Sequence, residues 1–127
     1  MEKIKTRTAE ISLYTKDIVW EVFIQGVEID AVDIRENIAA SLKLTNGRRH
    51  SALLDARGKH LTITQAAMKL GASVEVTKDR IATAHLTDSI SRNIFGNLFV
   101  KFFMPKIHNR MFSNEKEAIA WLKGFSE

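Results

Sequence analysis

Hydrophobic and polar residues alternate near the start of the chain, with the period of two that is typical of β-strands. The alternation comprises two groups of apolar residues, one on each side of the turn sequence TKD: Ile11 and Leu13, and then Ile18, Trp20, Val22 and Ile24. The pattern predicts a β-hairpin. Val19 and Phe23 make the other face of its second strand partly apolar, as expected of a strand that helices cover on both sides.

Helical and strand-like segments follow one another after the hairpin. The segment DAVDIRENIAASLKLTNG (30–47) has apolar residues at helical spacing, an aspartate that can cap its start and an Asn-Gly pair at its end. The apolar run SALLD (51–55) predicts a buried strand, and RIATAHLT (80–87) predicts another. Between these strands a short helix is expected to begin at Thr62 or Thr64.

A phenylalanine-rich stretch after the second of these strands runs into the only proline, Pro105. It predicts a helix over residues 89–104, because proline disfavours helical conformation in the residue before it. The sequence KIHNRMF (106–112) then predicts a last strand, and the segment after it predicts a last helix with Ser113 or Asn114 as its cap.

The predicted order of elements is therefore ββαβαβαβα. Strands that alternate with helices indicate right-handed crossovers and a parallel sheet. We therefore predict a single α/β domain over residues 1–127. Its sheet is expected to be mostly parallel, with four or five strands, an antiparallel N-terminal hairpin and four helices.

Composition narrows the classes of function. The chain has 127 residues, of which 45% are hydrophobic and 27% charged, and it has no cysteine. Disulfides, thiol nucleophiles and cysteine-based metal sites are therefore excluded, and the absence of cysteine is compatible with a reducing cytoplasm. The first residues, MEKIKTRTAEISLY, lack the apolar core of a signal peptide, and no apolar run is long enough to span a membrane. We expect a cytoplasmic protein without membrane insertion.

The net charge of +4 raises the question of nucleic-acid binding. The basic residues are scattered singly among acidic ones, and the densest cluster is NGRRH at 46–50. We interpret that cluster as a solvated loop, because binding to a phosphate backbone requires a contiguous basic face. No nucleic-acid partner is therefore predicted.

Several motifs occur together in this order of elements. A hairpin opens the chain, a central strand ends in aspartate within ALLDARG, and an apolar helix runs into a proline. The chain closes on the pattern F-S-x-x-x-x-A-x-x-W-L, formed by Phe112, Ser113, Ala118, Trp121 and Leu122. Together these features resemble the SpoIIAA-like superfamily, and specifically the small bacterial STAS/SEC14-like domains of unassigned function. The resemblance implies a module that binds proteins or ligands rather than an enzyme.

The same resemblance raises the question of a phosphorylation switch. In the anti-sigma-factor antagonists of this superfamily, an Asp-Ser-x-Gly-type turn follows the central strand, and its serine is phosphorylated at a helix N-terminus. Here the corresponding stretch is DARGKHLTITQAAM, which keeps the aspartate as Asp55 but has no Asp-Ser pair. Thr62 and Thr64 are the remaining candidates for phosphorylation, since a helix N-terminus stabilises added negative charge.

The phenylalanine-rich helix is too apolar for a single packing face. Its apolar residues spread over roughly 220° of the helix circumference, whereas packing on a sheet needs a stripe somewhat over about 100° wide. Three interpretations stay open for the apolar surface that packing on the sheet does not use. It can be core covered by a neighbouring helix, a homodimer interface, or the wall of a pocket for an apolar, lipid-like ligand. The candidate residues are Ile94, Phe95, Leu98, Phe99, Phe102 and Phe103.

Polar residues follow two predicted strands, where ligands bind in open α/β sheets. If these strands are neighbours, the side chains converge on a possible ligand-binding or acid–base site. The candidates are Asp55, Arg57 and His60 after one strand, and Thr87, Asp88, Ser89 and Arg92 after the other. The alternative is that these residues close turns, cap a helix or are solvated.

No motif of a known catalytic, phosphate-binding or metal-binding kind occurs, and the four histidines lack metal-ligand spacing. We therefore predict a non-catalytic interaction or regulatory module without a metal or cofactor. It is expected to form a homodimer through the helix over 89–104 and to bind an unknown protein partner. The alternative is a carrier or sensor of an apolar ligand beside that helix, and an enzyme using the polar cluster is the third hypothesis.

Overall fold

The structure is a computed structural model, and it describes residues 2–88 and 108–125. In chain order, its elements are β1 (Lys3–Lys5), β2 (Ala9–Thr15), β3 (Ile18–Phe23), β4 (Glu28–Ile29), α1 (Ala31–Leu44), β5 (His50–Asp55), β6 (Thr62–Ile63), α2 (Gln65–Gly71), α3 (Val74–Thr77), β7 (Arg80–Leu86), β8 (His108–Phe112) and α4 (Glu115–Lys123). The predicted helix over 89–104, with its six candidate apolar residues, lies outside the described residues.

The main sheet has the strand order β1-β2-β3-β5-β7-β8. The strands β1, β2 and β3 pair antiparallel, while β3, β5, β7 and β8 pair parallel. The expected α/β class, with its mostly parallel order after an antiparallel hairpin, is therefore confirmed. The hairpin turn between Thr15 and Ile18 is the one expected from the TKD sequence.

Within the part of the chain that the structure describes, the main sheet has six strands rather than the expected four or five. The additional strand is β1, which pairs Ile4 with Ile11 and is too short for a period-two pattern to show in the sequence. A separate two-stranded sheet joins β4 to β6, two residues from each. Strands of this length carry almost no periodic signal, so pattern reading cannot detect them.

Hydrophobic clusters cover both faces of the main sheet. On one face, Leu53 and Leu86 pack with Ala118 and Leu122 of α4, and Trp121 lies against the same cluster. The C-terminal motif therefore packs back on the sheet. On the other face, strand residues pack with residues of α1 and α2 in a second cluster. Its members are Ala9, Ile11, Val19, Phe23, Ile29, Ala40, Leu44 and Ala67.

Side-chain caps define where the helices begin. Asp30 caps α1 in a reciprocal capping box with Asp33. Thr64, one of the two residues expected to open the next helix, caps α2 by accepting a hydrogen bond from Ala67 N at 3.1 Å. At α4 the cap is Asn114, whose Oδ1 accepts from the backbone N–H of residue 117 at 3.0 Å. Of the two predicted candidates there, the structure therefore selects the asparagine.

Candidate functional site

Asp55 is the last residue of β5, and it is buried, with 4% of the residue exposed. It lies at the carboxyl end of the parallel strands, on the face that α4 covers. Arg57 donates to both of its oxygens, from Nε at 3.0 Å and from Nη2 at 2.8 Å. This two-point geometry is the strong form of a guanidinium–carboxylate pair. Trp20 adds a third side-chain donor, its Nε1 lying 3.2 Å from Asp55 Oδ2.

The network continues to α4. Arg57 Nη2 also donates to Glu115 Oε1 at 2.9 Å, and the hydroxyl of Tyr14 donates to Glu115 Oε2 at 2.9 Å. The rings of Tyr14 and Trp20 pack edge to face with their centroids 5.5 Å apart. Five side chains from β2, β3, β5, the following loop and α4 thus form one connected group, which we call the strand-end network.

Hydrogen bonding sets the protonation states of this network. Burial raises the pKa of Asp55, but the hydrogen bonds from Arg57 and Trp20 outweigh it and lower the pKa below its ordinary value. The hydrogen bond to Asp55 also raises the pKa of Arg57. Tyr14 has a raised pKa, chiefly because its hydroxyl donates to Glu115. At physiological pH Asp55 is therefore a carboxylate, Arg57 a guanidinium cation and Tyr14 a neutral phenol.

The other predicted residues of this end of the sheet are only partly brought together. The Asp88 carboxylate accepts a hydrogen bond from the backbone N–H of Gly58, so the two strand-end loops are in contact as predicted. Thr87 donates its backbone N–H to Phe112 O, which continues the sheet. His60 is exposed, and its backbone N–H binds Gln25 Oε1 at 2.9 Å. Ser89 and Arg92 lie outside the described residues.

Both candidate phosphorylation sites lie in the part of the chain that the structure describes. Thr62 is exposed in β6. The hydroxyl of Thr64 donates to Asp30 Oδ1 at 2.8 Å while it caps α2. A phosphate on Thr64 would therefore replace this donor and lie against a carboxylate, which opposes added negative charge. Phosphorylation of either threonine stays a prediction.

Three members of the strand-end network were not among the predicted site residues. Glu115 follows β8, and the rule that polar residues converge at the carboxyl ends of parallel strands would have found it. Trp20 belongs to the apolar alternation of the hairpin, and it packs against the core while its Nε1 binds Asp55. Tyr14 lies on an antiparallel strand, to which the same rule does not apply.

A second polar cluster lies on the opposite face of the sheet, beneath α1. Glu21, Leu54 and His85 are direct neighbours across three strands. The Nε2 atom of His85 lies 3.1 Å from Asn109 Oδ1. Burial lowers the pKa of His85 to about 4, so this imidazole is neutral. Burial also raises the pKa of Glu21 to about 7, against a smaller opposing effect of Arg80.

Arg80 joins this cluster because of a β-bulge. Between the paired residues His50–Arg80 and Ala52–Thr83, β5 advances by two residues and β7 by three. The extra residue turns the side chain of Arg80 towards the face that carries Thr83, whose Oγ1 accepts from Arg80 Nη1 at 2.9 Å. Burial lowers the pKa of Arg80, although Glu21 acts in the opposite direction.

The second cluster borders a partly open cavity of about 70 Å³. Its lining comes from both layers: the sheet contributes Glu21, Leu54, Arg80, Thr83, His85 and Asn109, and the helices contribute Ile34, Asn37, Ile38, Gly71 and Val76. The rule for the carboxyl ends of parallel strands does not predict this site, because its residues come from within the strands, from the first residue of β7 and from the helices above them.

Residues 2–88 and 108–125 contain neither a metal-binding cluster nor a membrane-spanning helix. No group of three or more histidine, aspartate or glutamate side chains in these ranges could hold a metal ion. No helix in the same ranges has the length and apolar character needed to cross a membrane.

Comparison with known proteins places the chain among SpoIIAA-like folds. A family model described as a domain of unknown function, DUF7793, matches residues 12–126. The crystal structure of an uncharacterised protein from the DUF3478 family of Shewanella loihica PV-4, described as having a SpoIIAA-like fold, superposes with a TM-score of 0.61. The two chains are 15% identical, and the match covers 90% of this chain and 91% of that one. No curated protein matches significantly. The predicted SpoIIAA-like fold is confirmed.

Proposed function

This chain belongs to the DUF7793 family, and we propose that it is a non-catalytic interaction and regulatory module of the STAS-like type. The observation that carries the proposal is that the side chains of the strand-end network form their hydrogen bonds with one another. Asp55 binds Arg57 and Trp20, Arg57 binds Glu115, and Glu115 binds Tyr14. A general acid or base must exchange its proton with a substrate, whereas Asp55 is held as a hydrogen-bonded carboxylate.

The network also supports a binding role through its effect on the loop that follows β5. Arg57 is anchored on both sides, and Gly58 is bonded to Asp88, so the start of this loop is held by side chains of three different segments. The loop leads to β6, where Ile63 is 40% exposed. A fixed loop beside an exposed apolar residue favours partner binding, because little ordering is required on association.

We place the self-association of this module in the phenylalanine-rich segment over 89–104. Its six apolar candidates, Ile94, Phe95, Leu98, Phe99, Phe102 and Phe103, exceed what one packing face needs. The proposal is therefore a cytoplasmic bacterial homodimer that binds a further protein partner.

Native mass spectrometry of the purified chain tests this proposal. We expect a doubled mass without an adduct, a monomer for Phe99→Asp, and a dimer for Asn97→Asp, which adds the same charge on the opposite side of the predicted helix. Circular dichroism verifies that each variant is folded. A monomeric wild-type protein, or a Phe99→Asp variant that is folded and dimeric, would contradict an interface at Phe99.

The second candidate function is a carrier or sensor of an apolar ligand beside the same segment. Its support is the surplus of apolar residues there, and its signature in the same experiment is a monomer that carries a few hundred extra daltons. The cavity under α1 does not serve this function, because its volume of about 70 Å³ is far below that of typical sites for drug-sized ligands, which begin near 300 Å³.

A further inference from the structure

We propose that the cavity beneath α1 binds a small molecule in which an oxygen acceptor and an N–H donor lie close together, such as an amide, a urea or an amino-acid zwitterion. Arg80 binds the oxygen and Glu21 binds the N–H group. This site is separate from the strand-end network and from the phenylalanine-rich segment, and it does not depend on the function proposed above.

The first step of the argument is the state of Glu21. Its side chain is 7% exposed, it lines the cavity, and within the described residues it has neither a hydrogen bond nor an ion pair. A buried carboxyl group without a partner costs free energy, and nearly all buried polar groups have one. A ligand that donates an N–H group to Glu21 would remove this cost.

The second step is the guanidinium of Arg80. The residue is 8% exposed and lines the same cavity, and its one side-chain partner among the described residues is Thr83, bound through Nη1. Guanidinium carries five N–H donors, so several stay available for an acceptor oxygen. Glu21 attracts Arg80 electrostatically without forming a direct ion pair with it. The two groups therefore present opposite charges to the same space.

The third step is the size of the cavity, which limits the size of the ligand. A cavity of about 150 Å³ in another protein accommodates benzene, and a water molecule takes about 30 Å³ of liquid. At these ratios the cavity of about 70 Å³ encloses roughly two or three non-hydrogen atoms. Because the cavity is partly open, the remaining atoms of a molecule with roughly four or five can extend beyond it. Opposite charges across so small a space select a ligand that is neutral overall but carries both functions, since either function alone leaves one buried group unpaired.

Titration of ¹⁵N-labelled protein with glycine, urea and acetamide at millimolar concentrations tests the proposal. We expect at least one of them to give saturable shifts of the amide signals of Glu21, Leu54 and His85. Acetate and methylammonium, which carry one function each, are expected to bind roughly tenfold more weakly. If none of the three bifunctional compounds gives a saturable shift, the proposal is wrong.

Substitutions of cavity residues test whether the compounds bind in the cavity beneath α1. We expect Glu21→Leu and Arg80→Met to weaken binding roughly tenfold, and the exposed Lys116→Met to leave it unchanged. Thr83→Val removes the anchor of the guanidinium and replaces Arg80→Met if that variant does not fold. Binding that is equally strong in Glu21→Leu and in the wild type would show that the compound binds elsewhere and would overturn the proposal.

Discussion

Arg57 binds both carboxylate oxygens of Asp55 although a single residue separates them along the chain. The same guanidinium reaches Glu115, which lies 58 positions further on. A local ion pair thus supports a long-range one, and together they join the end of β5 to the start of α4. Side-chain networks of this kind hold loop geometry, since each member limits the freedom of the next.

Replacing Asp55 with asparagine tests the energetic weight of this pair. The variant keeps an oxygen for Trp20 but loses the two-point interaction with Arg57, so we expect the free energy of unfolding to fall by about 2 kcal/mol. Urea denaturation measures this change in the free energy of unfolding. The control is Asp17→Asn, which weakens the more exposed pair with Arg48 at 3.3 Å and should cost less than about 1 kcal/mol.

If the free energy of unfolding fell by a similar amount in Asp55→Asn and Asp17→Asn, the strand-end network would stabilise the protein no more than an exposed ion pair does. The same Asp55→Asn protein bears on the enzyme hypothesis. If its ligand behaviour is unchanged, that hypothesis has no support from this cluster.

Glu21 predicts a pH dependence of stability. Its pKa rises from 4.5 to about 7 on folding, so the folded state binds the proton more tightly than the unfolded state. This contribution to stability is fully present below about pH 4.5 and is lost as the pH rises through about 7. The loss is on the order of 3 kcal/mol, since a tenfold difference in proton affinity corresponds to about 1.4 kcal/mol.

Glu21→Gln isolates this effect, because glutamine keeps the shape of the protonated acid and does not titrate. We expect the stability of the variant to exceed that of the wild type at about pH 8 and the difference to vanish near about pH 4. Urea unfolding of both proteins across this range gives the comparison. Parallel stability curves for the two proteins would show that Glu21 has an ordinary pKa.

The backbone conformation of Gly58 should make any residue with a side chain at this position less stable than glycine. It has a φ of 68°, and a Cβ atom added there would meet nothing within 4 Å. Gly58→Ala should therefore destabilise the protein by about 1 kcal/mol through backbone strain alone. Gly58→Asn should cost less, because asparagine tolerates the left-handed region better than alanine does. Thermal unfolding ranks the three proteins, and an alanine variant as stable as the wild type would contradict the strain.

The cap of α4 offers a fourth test. Asn114→Ala removes the acceptor for the backbone N–H of Glu117 and should lower the free energy of unfolding by about 1 kcal/mol. Asn114→Asp keeps an acceptor at the same place and adds a charge that the helix N-terminus favours, so its stability should match or exceed that of the wild type. The order of the two variants in urea denaturation checks the prediction, and the reverse order would refute it.

The sequence predicted those parts of the fold that depend on long periodic patterns. The alternation through Ile18 and Val22 placed the hairpin, the apolar run ending in Asp55 placed a central strand, and Asp30 marked the start of α1. The rule for parallel strand ends brought the segments after β5 and β7 together, and Asp88 does lie against Gly58, whereas the contact between Asp55 and Arg57 needed the structure.

The second polar cluster needed the structure because no pattern shows a β-bulge. A strict period of two puts Arg80 on the same face as Ala82 and Ala84, whereas the bulge turns it towards Thr83. One signal was present in the sequence. Glu21 stands between Val19 and Phe23 on a strand face that helices cover, and an acid at such a position is either paired or functional.

The order of strands in the main sheet, β1-β2-β3-β5-β7-β8, follows their order along the chain. Each strand of this sheet therefore adds to an edge that earlier residues have already made. The antiparallel β2–β3 pair closes through a two-residue turn, and hairpins of this kind form in microseconds. During synthesis, when residues appear one after another from the N-terminus, the hairpin can serve as a template before β5 exists. The sheet can thus grow in one direction on the ribosome, because each strand after β1 finds a neighbour that has already been translated.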